Sequence, residues 1–87
     1  MISDTTRLKI AHVCYANVSS RFADFMNPKN RGENFTWPWF IQNCRENADL
    51  WIMVGPYKFR GDKREIYELA VTMSEEIAHR LVDGATR

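Results

Sequence analysis

The side chains that could act in catalysis are few in this sequence of 87 residues, and their spacing keeps them apart. His12 and Cys14 stand two residues apart, a spacing that points the two side chains of a helix in different directions. Cys44 and His79 lie far from this pair along the chain. Nucleophilic catalysis needs a thiol beside a base, and no local pair provides one. We therefore expect no catalytic residue and no enzymatic activity.

Metal and cofactor sites are not predicted either. The two histidines and two cysteines share no spacing that is typical of zinc ligands. The four glycines fall singly in predicted loops and at helix ends, whereas a phosphate-binding loop needs several close together. Glu75 and Glu76 are adjacent carboxylates, but the surrounding pattern places them on an exposed polar face. The sequence thus predicts no metal and no cofactor.

One segment, "PYKFRGDKR" at 56–64, could bind a partner through charge and stacking. Such a mixture can contact a phosphate backbone and stack on a base, or it can contact an acidic protein surface. The tripeptide Arg60-Gly61-Asp62 matches an integrin-binding motif, which we attribute to chance because Asp62 suits the start of a helix. The candidate contacts with a polyanion or an acidic partner are Tyr57, Lys58, Phe59, Arg60, Lys63 and Arg64.

Composition restricts the remaining classes of function. Twelve basic and eleven acidic side chains give a formal net charge of +1, which provides no general attraction to nucleic acid or to an anionic membrane. Apolar residues make up 45% of the chain, but no apolar run approaches the ~20 residues of a membrane span. Two distant cysteines and an N-terminus without an apolar signal segment favour a reducing cytoplasm. We expect a single domain over 1–87 without membrane contact.

The spacing of apolar residues predicts an all-α fold, a compact domain of three helices at about 4–26, 37–54 and 62–83. Thr36 suits the N-cap of the second helix, with Pro38 in its first turn. Asp62 suits the N-cap of the third helix, and Gly84 suits its end. The alternative is an α+β domain with a hairpin around 50–59, because the run "LWIMV" is ambiguous by period alone.

Each helix carries one apolar stripe that we expect to form the core. On the first helix the stripe comprises Leu8, Ala11, Tyr15, Val18, Phe22 and Phe25. On the second it comprises Phe40, Ile41, Cys44, Ala48, Trp51 and Ile52, and on the third Ile66, Leu69, Ala70, Met73, Ile77 and Leu81.

Two helices carry more apolar surface than one stripe. On the third helix a second row lies beside the first, and on the second helix Trp39, Leu50 and Met53 lie opposite the main face. A tryptophan outside a small core is often an interface anchor. The predicted partner-binding residues are therefore Trp39, Leu50, Met53, Tyr67, Val71 and Val82.

These patterns favour a small non-enzymatic regulator or inhibitor that binds a protein through an apolar helical surface. The partner would be another protein or a second copy of the chain in a homodimer. Short aromatic-rich chains without catalytic motifs are common among inhibitors from phage and mobile elements. The alternative is a nucleic-acid-associated regulator that uses the basic-aromatic loop 57–64.

Overall fold

The computed structural model describes residues 2–55 and 57–87, and they form three α-helices and one short 3₁₀ helix. Helix α1 spans Asp4–Met26, α2 spans Trp37–Val54 and α3 spans Lys63–Thr86, with the 3₁₀ turn at Pro28–Asn30. The predicted all-α fold is confirmed. The alternative hairpin is wrong, because 50–54 belong to α2 and no strand occurs in the described ranges. Pro56, which that hairpin would include, lies outside the described residues.

All three helices begin at a side chain that accepts a hydrogen bond from the first turn. Ser3 accepts from the amide of Thr6 at 3.2 Å. Thr36 caps α2 by accepting from the Trp39 amide at 3.1 Å, and Pro38 occupies the first turn. Asp62 caps α3 by accepting from the Glu65 amide at 3.0 Å. Each cap satisfies an amide that has no partner within its own helix.

The end of α3 differs from the prediction. Gly84 was expected to end the helix, yet α3 continues through it to Thr86. A Cβ atom at Gly84 would meet nothing within 4 Å, so no neighbouring group requires a glycine at this position. A glycine inside an exposed helix costs only about 1 kcal/mol relative to alanine, which the helix tolerates near its end.

The buried face of α1 also differs from the predicted stripe. Ile10, Val13, Cys14 and Val18 are buried, whereas Leu8 is 71% exposed and Tyr15 is 59% exposed. Apolar residues surround most of the first half of this helix, so periodicity alone allows more than one stripe. The position of the neighbouring helices selects the face that carries Ile10 and Cys14.

A row of buried residues along α3 forms the centre of the domain. The row is Ile66, Ala70, Ser74, Ala78 and Val82, and it contains members of both predicted stripes. The rest of those stripes flank the row and are half-buried, namely Leu69, Met73, Ile77 and Leu81 on one side and Tyr67 and Val71 on the other. On α2 the predicted face is correct, since Phe40, Cys44, Ala48, Trp51 and Ile52 are buried.

The small side chains of this row let α1 approach α3 closely. The Cys14 thiol donates to the Ala70 carbonyl oxygen, with 3.5 Å between sulfur and oxygen. Ser74 is fully buried one turn further along, and its hydroxyl has no hydrogen-bond partner. Burying a hydroxyl without a hydrogen bond lowers the free energy of unfolding. The small Ser74 side chain therefore allows close helix packing but makes the fold less stable.

Ser74→Ala is therefore expected to raise the free energy of unfolding by about 1 kcal/mol, because it removes the unsatisfied hydroxyl and keeps the small volume. Urea unfolding followed by circular dichroism measures the change. Ser20→Ala, at an exposed site on α1, is the matched control and should change stability by only tenths of a kcal/mol. A destabilised Ser74→Ala variant would contradict the argument.

Candidate functional site

The two thiols are placed as packing groups rather than nucleophiles. Cys14 and Cys44 are both buried and unpaired. Burial raises the pKa of the Cys14 thiol. Burial also raises the pKa of Cys44, from 9.0 to about 11, against the opposing charge of Arg21. Thiolates, not thiols, are nucleophilic, so both residues are unreactive at neutral pH.

The histidines are exposed and lie apart from the thiols. The His12 ring lies edge-on to Tyr57, with 6.5 Å between ring centroids. The His79 Nε2 atom lies 3.9 Å from a carboxylate oxygen of Glu75, one turn before it on α3. Among residues 2–55 and 57–87, no three histidine, cysteine or acidic side chains are grouped to hold a metal ion.

Trp39 belongs to an aromatic cluster that joins the end of α1 to the start of α2. Its ring lies edge-on to Phe25 at 5.7 Å and near Phe35 at 5.9 Å. The side chain nevertheless remains 46% exposed. The whole aromatic cluster is Phe22, Phe25, Phe35, Trp37, Trp39 and Phe40. Trp39 is thus partly a structural residue and only partly available to a partner.

Arg31 closes the aromatic cluster from the loop between the helices. Its guanidinium lies 5.3 Å from the ring centre of Phe35 and 5.2 Å from that of Trp37. Its Nε atom donates to the Phe25 carbonyl oxygen at 2.6 Å, which is near the end of α1. One cation therefore satisfies a free helix-end carbonyl and covers two aromatic faces.

The end of α2 presents three exposed apolar side chains, which we term the apolar patch. Leu50 is 49% exposed, Met53 is 65% exposed and Val54 is 70% exposed. Their spacing of i, i+3 and i+4 makes them neighbours on one helix surface. Leu50 and Met53 were predicted as partner-binding residues, whereas Val54 was not. The same spacing, applied to the sequence, would have found it.

Tyr57, which follows the end of α2, is a further exposed aromatic side chain. It is 39% exposed, and its ring lies 6.3 Å from that of Phe59 as well as near His12 of α1. Phe59 itself is half-buried against the core. Of the two aromatic residues predicted for a polyanion site, only Tyr57 is open to solvent.

Tyr67 and Val71 lie in a groove between α2 and α3. The groove has a volume of about 710 Å³ and also includes Lys63 and Arg64. Its charges are mixed, because Asp49 lines it and Arg64 pairs with Glu68 at 3.2 Å. Val82, the remaining predicted partner-binding residue, is only 7% exposed and belongs to the core. The prediction that Val82 binds a partner is therefore wrong. The buried residues of α3 follow each other at intervals of four, and this row reaches Val82 near the end of the helix.

The cations of 57–64 do not form one surface. Lys58 and Arg60 line a cleft of about 650 Å³ against the first turns of α1, where Lys9 joins them. We term Lys9, Lys58 and Arg60 the basic cleft. Lys63 and Arg64 belong to α3 and face the other groove. The sequence could not reveal Lys9, because only the fold brings α1 beside this loop.

None of the helices within the described ranges combines the length and apolar character that crossing a bilayer requires. No protein-family model, curated protein sequence or solved structure matches this chain. The arrangement of its own surfaces is therefore the basis for a functional proposal.

Arg31→Ala is expected to lower the free energy of unfolding by about 2 kcal/mol, because it removes a charge-assisted hydrogen bond and two cation–π contacts. Thermal and urea unfolding provide the measurement. Lys29→Ala, in the same loop and exposed, removes the same charge without these contacts and should be nearly neutral. Equal effects of the two substitutions would show that Arg31 acts only through its charge.

The raised pKa of Cys44 predicts a specific loss of stability at alkaline pH. Well below pH 9 the thiol is protonated in both the folded and the unfolded state. Between pH 9 and about 11 it ionises in the unfolded chain but not in the folded one. The free energy of unfolding should therefore fall by about 1.4 kcal/mol per pH unit, relative to a Cys44→Ala variant. Parallel pH profiles of the two proteins would contradict this.

Proposed function

We propose that this chain is a non-enzymatic, protein-binding regulator that works as a homodimer, with the apolar patch at the centre of the interface. The observation that carries the proposal is the exposure of Leu50, Met53 and Val54 side by side at the end of α2. Helix-mediated recognition commonly uses apolar residues at this spacing. Such a chain would regulate by assembling with a partner rather than by catalysing a reaction.

A second copy of the chain is a suitable occupant of this patch. Leu50, Met53 and Val54 carry no charge, so two copies can bring the same patches together across a two-fold axis without repulsion. The basic cleft could not pair with itself in this way, because it would place cations against cations. A domain of this size also buries only roughly 60–65% of its unfolded surface, so additional burial in a dimer is stabilising.

The expected affinity is modest. Six partly exposed side chains, three from each copy, would contribute about 1–2 kcal/mol each when buried. That sum is on the order of 6–12 kcal/mol, and association itself costs on the order of 4–15 kcal/mol. The favourable difference is at most about 8 kcal/mol, so the dimer should dissociate on dilution, with a Kd no tighter than about micromolar.

Trp39 is not part of this proposed interface. It precedes Leu50 by eleven residues, or about 16 Å along the helix axis, and exposed Glu46 lies between them. Its contacts with Phe25 and Phe35 give it a role in the aromatic cluster.

Sedimentation equilibrium over a range of protein concentrations tests the proposal. The wild-type chain should shift from monomer to dimer as concentration rises. Met53→Ser should weaken dimerisation by about tenfold or more, because it removes two apolar side chains per dimer. Circular dichroism should remain unchanged, since Met53 is exposed.

Met26→Ser is the matched control. Met26 is 46% exposed and lies at the end of α1, near the start of α2 and thus away from the patch. It should leave the monomer–dimer equilibrium unchanged. A wild-type chain that stays monomeric at millimolar concentration, or equal effects of the two substitutions, would overturn the proposed homodimer.

A further inference from the structure

The basic cleft joins cations from two separate parts of the chain. Lys9 comes from α1, and Lys58 and Arg60 come from the loop before α3. The cleft is also lined by three hydroxyl-bearing residues, Ser3, Thr5 and Thr6, and by Gly61. Gly61 has φ 129°, a conformation that favours glycine and turns the chain from the cleft into α3. The fold thus brings three cationic residues to the border of one cleft of about 650 Å³.

No carboxylate within the described part of the chain forms a salt bridge with these three cations. The ion pairs found there involve Arg45, Arg64 and His79 instead. Asp62 lies next to Gly61, but its carboxylate accepts from the Glu65 amide at 3.0 Å and does not line the cleft. Like charges around one space repel each other, and an anion placed among them would relieve that repulsion.

Hydroxyl donors complete the lining. The Ser3 hydroxyl donates to Thr6 Oγ1 at 3.0 Å, which leaves the hydrogen of the Thr6 hydroxyl free to donate elsewhere. Thr5 contributes a further exposed hydroxyl. A phosphoryl group offers three or more acceptor oxygens, whereas a carboxylate offers two. Three cations with additional hydroxyl donors therefore suit phosphate better than carboxylate, and the planar fork of Arg60 can donate to two phosphate oxygens at once.

We infer that the basic cleft binds a phosphoryl group, carried either by a small phosphorylated molecule or by the backbone of a single-stranded nucleic acid. Both sources present the same oxygens to Lys9, Lys58 and Arg60. The inference goes beyond the proposed dimer and does not depend on it, because the apolar patch contributes no residue to the cleft.

Titration followed by ¹H–¹⁵N NMR tests this site at about 10 mM ionic strength, where exposed charges are least screened. The probes are inorganic phosphate, an octathymidylate and a hexaglutamate peptide. Phosphate should shift the amide signals of Thr5, Thr6, Lys9 and Gly61. An octathymidylate that binds far more tightly, with strong salt dependence, would identify a nucleic-acid backbone as the source. Similar affinity per phosphate would identify a small phosphorylated molecule.

The double variant Lys58→Gln/Arg60→Gln should weaken phosphate binding by about tenfold or more, because it removes two charge-assisted donors. Lys63→Gln/Arg64→Gln is the matched control, with the same change in net charge at the start of α3, and it should bind nearly as the wild type does. Equal losses in both variants would indicate diffuse attraction and overturn the site. Hexaglutamate binding as tight as that of the octathymidylate, or phosphate shifts outside the cleft, would also overturn it.

The Met53→Ser variant separates this inference from the proposed dimer. It should bind phosphate as the wild type does, whatever its oligomeric state. A monomeric wild-type chain that binds phosphate in the cleft would overturn the dimer alone, and a dimer without phosphate binding would overturn the cleft alone.

Discussion

The architecture depends on the close packing of α1 and α2 against one row of small residues on α3. Ala70, Ser74 and Ala78 are fully buried and allow backbone and side chains of the neighbours to approach. The contact between the Cys14 sulfur and the Ala70 carbonyl oxygen at 3.5 Å is direct evidence of that approach. Contacts between α1 and α2 are concentrated at the aromatic cluster and around Arg21, which donates to Asn43 at 2.8 Å and lies over Trp51. The third helix therefore holds the other two in register.

The sequence predicts α2 well because apolar and polar residues are cleanly separated on it. Phe40, Cys44 and Ala48 follow one face, and Thr36 marks its start. On α1 the same reasoning fails. Leu8, Ile10 and Tyr15 point in different directions around the helix, so the apolar spacing does not single out one buried face. On α3 the centre of the buried face is a serine, which a search for apolar stripes passes over. Only the positions of neighbouring helices resolve these two cases.

The candidate surfaces were less predictable than the fold, because they combine segments distant in sequence. The cations of 57–64 are close together in sequence, but the start of α3, which the sequence does predict, divides them between two surfaces. Lys9 reaches the cleft only through the packing of α1. Leu50 and Met53 were identifiable because α2 has one clearly apolar face and these two residues lie opposite it. Sequence patterns thus identify surfaces within one helix and miss those that form between elements.

The burial of both thiols has a consequence for the conditions under which the fold can exist. Cys14 and Cys44 are small packing groups, Cys14 also donates to the Ala70 carbonyl oxygen, and neither forms a disulfide. A protein whose cysteines are cross-linked gains or loses stability with the redox potential of its surroundings. This bundle has no such dependence, because its thiols are neither bonded nor accessible to oxidants in the folded state. Oxidation of either thiol therefore has to follow opening of the bundle.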